Sequence, residues 1–224
     1  MKRFGALLAK VAHKVWNEIA TPQSLHNWQD IGAQRGGQVV RRSWRAPNLL
    51  VPYKGFDLTM TLDDETGVTS VTTAFDTASD FCFTIRRRTV VKEVLSSHIQ
   101  RFYSGYTSFD DMFIVTGDSF DRLQRFLSGE RLRQLLESHP EISVSLQKEV
   151  KAVQPPLQSF RLQLPWPEQV PTGRTILSAE VHSVTDPQRL HALFDIQQEM
   201  LDRLCEQNIA PCAGPTSQSG HDSP

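Results

Sequence analysis

Four carboxylates fall close together in this sequence: Asp110, Asp111, Asp118 and Asp121. Carboxylates placed where a strand ends and a helix begins could hold a divalent cation, because Mg²⁺ and Ca²⁺ need several oxygen ligands. Asp110, Asp111 and Asp118 are therefore the candidate metal ligands. Their spacing is not that of a Ca²⁺-binding loop. Asp118, or Ser119 beside it, also suits a helix N-cap, where an oxygen accepts from free backbone N–H groups near the positive end of the helix dipole. Asp110, between Phe109 and Phe113, reads as turn chemistry.

The run Arg86-Arg87-Arg88 could clamp a phosphate or carboxylate. Alternate side chains of a strand point to opposite faces, so the three cannot all meet one ligand. Arg86 and Arg88 could share a face with Arg42 if the strands pair suitably, which makes Arg42, Arg86 and Arg88 the candidate anion-binding set, bidentate guanidinium geometry being the reason. The competing explanation is a solvated sheet edge guarded against strand addition.

The remaining reactive residue types form no constellation recognisable in the sequence, which leaves open a triad assembled in space from distant Ser, His and Asp. The histidines at positions 13, 26, 98, 139, 182, 191 and 221 include no pair at zinc-ligand spacing with each other or with Cys. The sequence lacks a Gly-rich phosphate loop, a Gly-x-Ser-x-Gly elbow and a dinucleotide fingerprint. The leading expectation is a non-enzymatic binding or interaction module without a cofactor, its partner a protein or a small ligand. A metal-assisted hydrolase or phosphoesterase is the alternative, with Asp110, Asp111 and Asp118 on the metal and Arg86 or Arg88 on the anion. A third reading attaches the protein peripherally to a membrane surface through residues 2 to 19. There Lys2, Arg3, Lys10 and Lys14 accompany an apolar stripe of Phe4, Leu7, Leu8, Val11, Val15, Trp16 and Ile19.

The elements that must position these residues follow from periodicity. Residues 3 to 20 read as an amphipathic helix, and Thr21-Pro22 starts a second one carrying Leu25, Trp28 and Ile31. Strands are expected around Val40, through Leu58, Met60 and Leu62, through Val71, Thr73 and Phe75, and through Phe81, Phe83 and Ile85. Short turns between them predict a four-stranded antiparallel meander, with Val51-Pro52-Tyr53-Lys54-Gly55 as a turn-rich approach to the second. Residues 90 to 103 suit helix and strand equally. Phe109 to Val115 form a short apolar strand, followed by two helices, by strands through Ile142, Val144 and Leu146 and through Phe160, Leu162 and Leu164, and by a strand over residues 174 to 184. Asp186 and Pro187 open a last helix with a broad apolar stripe from Leu190 to Leu204. Strand runs interrupted by helices give an α+β fold, a largely antiparallel sheet of seven or eight strands packed by N-terminal, central and C-terminal helices. The organisation expected is an N-terminal helical segment over 1–32, an α+β domain over 33–210 and a disordered tail over 211–224.

With 224 residues, 39% hydrophobic and 22% charged, the chain has an ordinary globular composition and can bury a core without staples. A net charge of −1 gives no whole-molecule attraction for nucleic acid. Cys82, Cys205 and Cys212 are too few and scattered for a disulfide framework, and Cys82 and Cys205 read as small core residues. That reading suits a reducing, cytoplasmic setting. The first residues are too soon interrupted by Lys10 and Lys14 for a signal sequence or a membrane span.

Four stretches carry a likeness. They are Val51-Pro52-Tyr53-Lys54-Gly55-Phe56; Ala74-Phe75; Gly105 to Ser128, with Phe109-Asp110 and Phe113-Ile114-Val115; and Glu180 to Cys205, with Leu190, Leu193-Phe194-Asp195 and Leu204-Cys205. Together, over about residues 28 to 207, the chain resembles a family of uncharacterised bacterial proteins. The resemblance rests on structural-looking residues and implies no substrate, cofactor or catalytic residue. Ser108 departs from it, an acidic residue being expected before Phe109-Asp110.

Overall fold

A computed structural model describes residues 22–40, 47–63, 65–89, 101–153, 168–182 and 186–212. The expected helix over residues 3–20, the strand at Phe160–Leu164 and most of the tail lie outside the described residues, as do Arg42 and Trp44.

The described elements are α1 (Pro22–Arg35), β1 (Gln38–Val40), β2 (Asn48–Tyr53), β3 (Phe56–Asp63), β4 (Val68–Asp76) and β5 (Phe83–Arg87). They continue with β6 (Arg101–Phe102), α2 (Thr107–Met112), β7 (Phe113–Gly117), α3 (Phe120–Leu127) and α4 (Glu130–Ser138). The chain closes with β8 (Ser143–Val153), β9 (Glu168–His182) and α5 (Pro187–Glu206). The fold is α+β: an antiparallel sheet of nine strands among the described residues, slightly more than expected, in the order β1-β2-β3-β4-β9-β8-β5-β7-β6.

The order corrects the simple meander. β1 to β4 do pair in sequence, but β5 does not join β4. β9 takes that place, pairing Val68–Asp76 with Arg174–His182 over nine residues, and β8 lies between β9 and β5. Long β9 offers β4 far more ladder hydrogen bonds and apolar neighbours than the five-residue β5 could. The stretch Val51-Pro52-Tyr53 is the end of a true strand, β2, with Pro52 exposed. Lys54 (φ 49°) and Gly55 (φ 84°) form the two-residue link to β3, both with the positive φ that a type I′ hairpin turn requires. Gly37 is required for a different reason: a Cβ there would fall on the Leu50 carbonyl of the adjacent strand.

Alternation along the strands builds one core. Phe56, Leu58 and Met60 of β3, Val71 and Phe75 of β4, Leu177, Ala179 and Val181 of β9, and Val144 and Leu146 of β8 are buried. They pack with α5, which buries Leu190, Leu193, Phe194, Ile196, Met200, Leu201 and Leu204. Asp186 caps that helix as expected, its Oδ1 accepting from Gln188 N at 3.0 Å, with Pro187 following. Trp28 and Ile31 of α1 enter the same core. Phe81, Phe83 and Phe126 form an aromatic cluster with centroids 4.7–6.4 Å apart under α3.

The cysteines depart from expectation. Cys205 and Cys212 form a disulfide across the turn after α5, and Cys82 is free and half-buried. Cys205 is thus a bridge partner as well as a residue packed against the core, and the cysteines give no support to a reducing setting. No helix among the described residues is long and apolar enough to cross a membrane.

Candidate functional site

The candidate carboxylates sit at both ends of β7. Asp110 is in α2, one turn before the strand, and both oxygens of its carboxylate are engaged. Oδ1 accepts from Ser104 N and Ser104 Oγ, both at 2.8 Å, and Oδ2 accepts from Gly105 N at 3.1 Å. It clasps the Ser104–Gly105 turn, where Gly105 has φ 86°. Asp111 beside it is exposed. Asp118 follows the far end of the strand, where its Oδ2 accepts from Cys82 N at 2.8 Å while its own N–H donates to Cys82 O at 3.3 Å. The five-residue β7 puts roughly 15 Å between Asp111 and Asp118. That separation is far beyond the span of ligands to one ion. Among the described residues no group of three or more His, Cys, Asp or Glu side chains is arranged to hold a metal. Nor does Asp118 cap α3: Ser119 occupies the N-cap position, without a side-chain capping bond.

The arginines separate in a similar way. β5 lies between β8 and β7, so it is not an edge strand of the sheet, and the edge-guard explanation is corrected accordingly. The β8 pairing ends at Ile85, leaving Arg86 and Arg87 paired to β7 alone, opposite Ile114 and Phe113. Arg86 is half-buried, Arg87 and Arg88 are exposed, and Arg88 N donates to Met112 O at 2.8 Å. Arg42 lies outside the described residues. β1, which precedes it, is separated from β5 in the sheet by β2, β3, β4, β9 and β8.

Sequence reasoning missed two polar clusters that tie α5 to the first half of the chain. In one, Tyr53 Oη donates to Asp202 Oδ2 at 2.8 Å and Lys54 Nζ to Asp202 Oδ1 at 2.7 Å. In the other, Arg35 Nη2 contacts Asp195 Oδ1 at 2.7 Å, His191 O at 3.2 Å and His191 Nδ1 at 3.2 Å, with its guanidinium 5.2 Å from the Phe194 ring centroid. Burial and then the Arg35 charge hold His191 below its ordinary value, with Asp195 pulling the other way. The resemblance to Leu193-Phe194-Asp195 and Val51-to-Phe56 patterns was the signal available, but it carried no pairing.

Two concave surfaces lie among the described residues. A groove of about 360 Å³ runs over Cys82, Thr84, Thr116, Asp118 and Gln147. Burial raises the Cys82 thiol, and the Asp118 and Asp80 charges add to this against Lys148, so Cys82 stays a protonated thiol at neutral pH. A smaller hollow of about 220 Å³ is lined by Ser79, Arg122, Arg125, Gln207, Asn208 and Ile209. Large aromatic side chains also reach the surface near β6, the last strand of the sheet among the described residues: Tyr103 is 66% exposed and Phe120 58%, the latter with its ring centroid 4.7 Å from that of Phe102. Tyr106 is partly covered by the Arg133 guanidinium, 3.5 Å from its ring centroid.

No family model and no curated protein matches the chain. Among solved structures it is similar to the mycobacterial trehalose monomycolate transport factor A, with 10% sequence identity, a TM-score of 0.48, and coverage of 87% of this chain and 99% of the other. At that identity and TM-score the likeness carries nothing about activity.

Proposed function

We propose that the protein is a non-enzymatic binding or interaction module. The observation that carries this reading is the exposure of Tyr103 and Phe120 beside β6, the last strand of the sheet among the described residues. Aromatic side chains concentrate at protein interfaces, where they bring large contact area with little conformational entropy to lose. The engagement of Asp110 and Asp118 in clasping Ser104, Gly105 and Cys82 adds support, since both carboxylates already have structural work. The Cys205–Cys212 bridge favours an oxidising compartment over the cytoplasmic one.

Affinity capture from native lysate should recover a stoichiometric partner with the wild-type chain, and recovery should fail with Tyr103→Ser/Phe120→Ser. Capture that is indifferent to both substitutions, or that repeatedly returns nothing, rejects the reading. Calorimetric titration with Mg²⁺, Mn²⁺ and Ca²⁺ addresses the hydrolase alternative: stoichiometric metal binding lost in Asp110→Asn or Asp118→Asn would put it back in front.

A further inference from the structure

The hollow between α3 and the turn that follows α5 has a one-sided chemistry. Its lining residues are Ser79, Arg122, Arg125, Gln207, Asn208 and Ile209, which include two cations and no carboxylate. Arg122 and Arg125 are three apart on α3, so their side chains leave the same face.

The local hydrogen bonds decide what these groups can still offer. Ser79 Oγ accepts from Arg122 Nη1 at 2.9 Å and from Phe81 N at 3.2 Å. A hydroxyl has two acceptor lone pairs and one donor, so Ser79 has its O–H left to give. Arg125 Nε donates to Asp121 O at 3.3 Å, which orients the guanidinium on the helix. Gln207, which also lines the hollow, has Oε1 buried without a partner. Asn208 sits at φ 55°, held by its N–H to Cys205 O at 2.9 Å, and Ile209 N donates to Leu204 O at 2.9 Å. The Cys205–Cys212 bridge spans this whole turn. The wall is therefore fixed before any ligand arrives, which lowers the entropy lost on binding.

We infer that this hollow is a binding site for a small tetrahedral oxyanion of the phosphate type, free or as a phosphomonoester. Donors approach from α3, from the β4–β5 connection and from the α5 turn. Such a spread of directions matches a tetrahedral group with three or four acceptor oxygens better than a planar carboxylate with two. About 220 Å³ also leaves room for the first atoms of an ester beside Ile209. The assignment rests on the binding-module reading and names a ligand class for it. Phe120 shares α3 with Arg122 and Arg125, but it does not line the hollow, so different substitutions and different measurements let the two readings fail separately.

The test is calorimetric titration of the full oxidised chain with inorganic phosphate, glycerol 3-phosphate and succinate at low ionic strength. Phosphate should bind with one site and a dissociation constant of about 1 mM or tighter. Arg122→Gln and Arg125→Gln should each weaken it about tenfold or more, the loss of a charge-assisted hydrogen bond. Both arginines are exposed and glutamine is a good helix former, so the variants should keep the wild-type circular dichroism spectrum. Ser79→Ala should weaken binding without changing charge. Tighter binding of glycerol 3-phosphate than of phosphate identifies an ester ligand, and the reverse identifies the free ion. The inference is overturned if phosphate gives no heat, if the double Arg122→Gln/Arg125→Gln chain binds as wild type does, or if succinate binds as tightly as phosphate. Affinity capture that fails while phosphate titrates normally would remove the partner reading and leave this one.

Discussion

The Tyr53 hydroxyl donates to Asp202 Oδ2 at 2.8 Å although the two residues are 149 positions apart. The same carboxylate accepts from Lys54 at 2.7 Å, so the tip of the β2–β3 hairpin is fastened to α5 by one side chain. The Lys54 end is exposed and the Tyr53 end half-buried. Asp202→Ala should lower stability by about 1–2 kcal/mol, mostly through the tyrosine bond, because exposed ion pairs contribute little. Lys54 adds a conformational term, since an L-residue at positive φ is strained by about 1–2 kcal/mol relative to glycine. Lys54→Gly should therefore be more stable than Lys54→Ala in urea denaturation, and equal stabilities would refute the hairpin argument.

Gln197 is fully buried on α5 with Nε2 donating to Thr73 Oγ1 at 3.2 Å and to Leu177 O at 3.0 Å, while Oε1 has no partner. Gln197→Ala should cost about 2–4 kcal/mol, since it removes both bonds and opens a cavity at the helix–sheet seam. Gln197→Met fills the same volume and removes the desolvated oxygen, so it should cost less than half as much. Chemical denaturation of the two variants reads the ranking, and equal losses would show that the two bonds dominate over packing.

Gly129 begins α4 directly against Arg203: a Cβ added there would lie 2.5 Å from Nε and Nη2. The guanidinium bonds Glu206 at 2.6 Å and Ser128 at 3.2 Å, and Gly129→Ala must push it off both. A loss of about 1–2 kcal/mol is expected in the wild-type chain. In an Arg203→Ala background the same substitution should be neutral, because the obstacle is gone. A double-mutant cycle measures this, and additive effects would exclude the clash.

Acid should weaken the α1–α5 contact through His191. Its folded value lies below the ordinary one, so between the two the unfolded chain binds a proton that the folded chain refuses. The stabilisation is complete above about pH 6.5 and is lost as pH falls through the lowered folded value. His191→Gln should flatten the stability–pH curve in that window by up to about one proton equivalent. An unchanged slope would mean that His191 titrates normally.

The Cys205–Cys212 bridge closes a short loop that holds Ile209 and Ala210 in the core. Mass spectrometry after alkylation should find one reactive thiol, Cys82, before reduction and three after it. Reduction should lower stability by about 2 kcal/mol on the loop-entropy argument. Three alkylated thiols without reductant would return Cys205 to the role of a packed thiol.

The sequence by itself determined the class of fold and most local elements, although Phe109 to Met112, expected to open a strand, lie in helix α2, because only Phe113 onward finds a strand partner in β5. Alternation at Leu58, Met60, Val71, Phe75, Leu177 and Ala179 marked strands, the stripe from Leu190 to Leu204 marked α5, and Asp186-Pro187 marked its start, because burial periodicity and capping are properties of neighbouring residues. What only the tertiary structure decided is which strands meet and what the polar residues do. β9 displaces β5 from β4 through a long ladder formed across more than a hundred residues, and no local pattern encodes that competition. Asp110 and Asp118 look like a shared cage in one dimension, but a strand of five residues holds them apart and backbone N–H groups claim both. Arg122 and Ser79, 43 positions apart, meet only because α3 and the β4–β5 connection pack at one corner. Hydrogen-bond partners are chosen by three-dimensional proximity after the apolar faces have been buried, and for that reason side-chain chemistry was the least legible part of the chain.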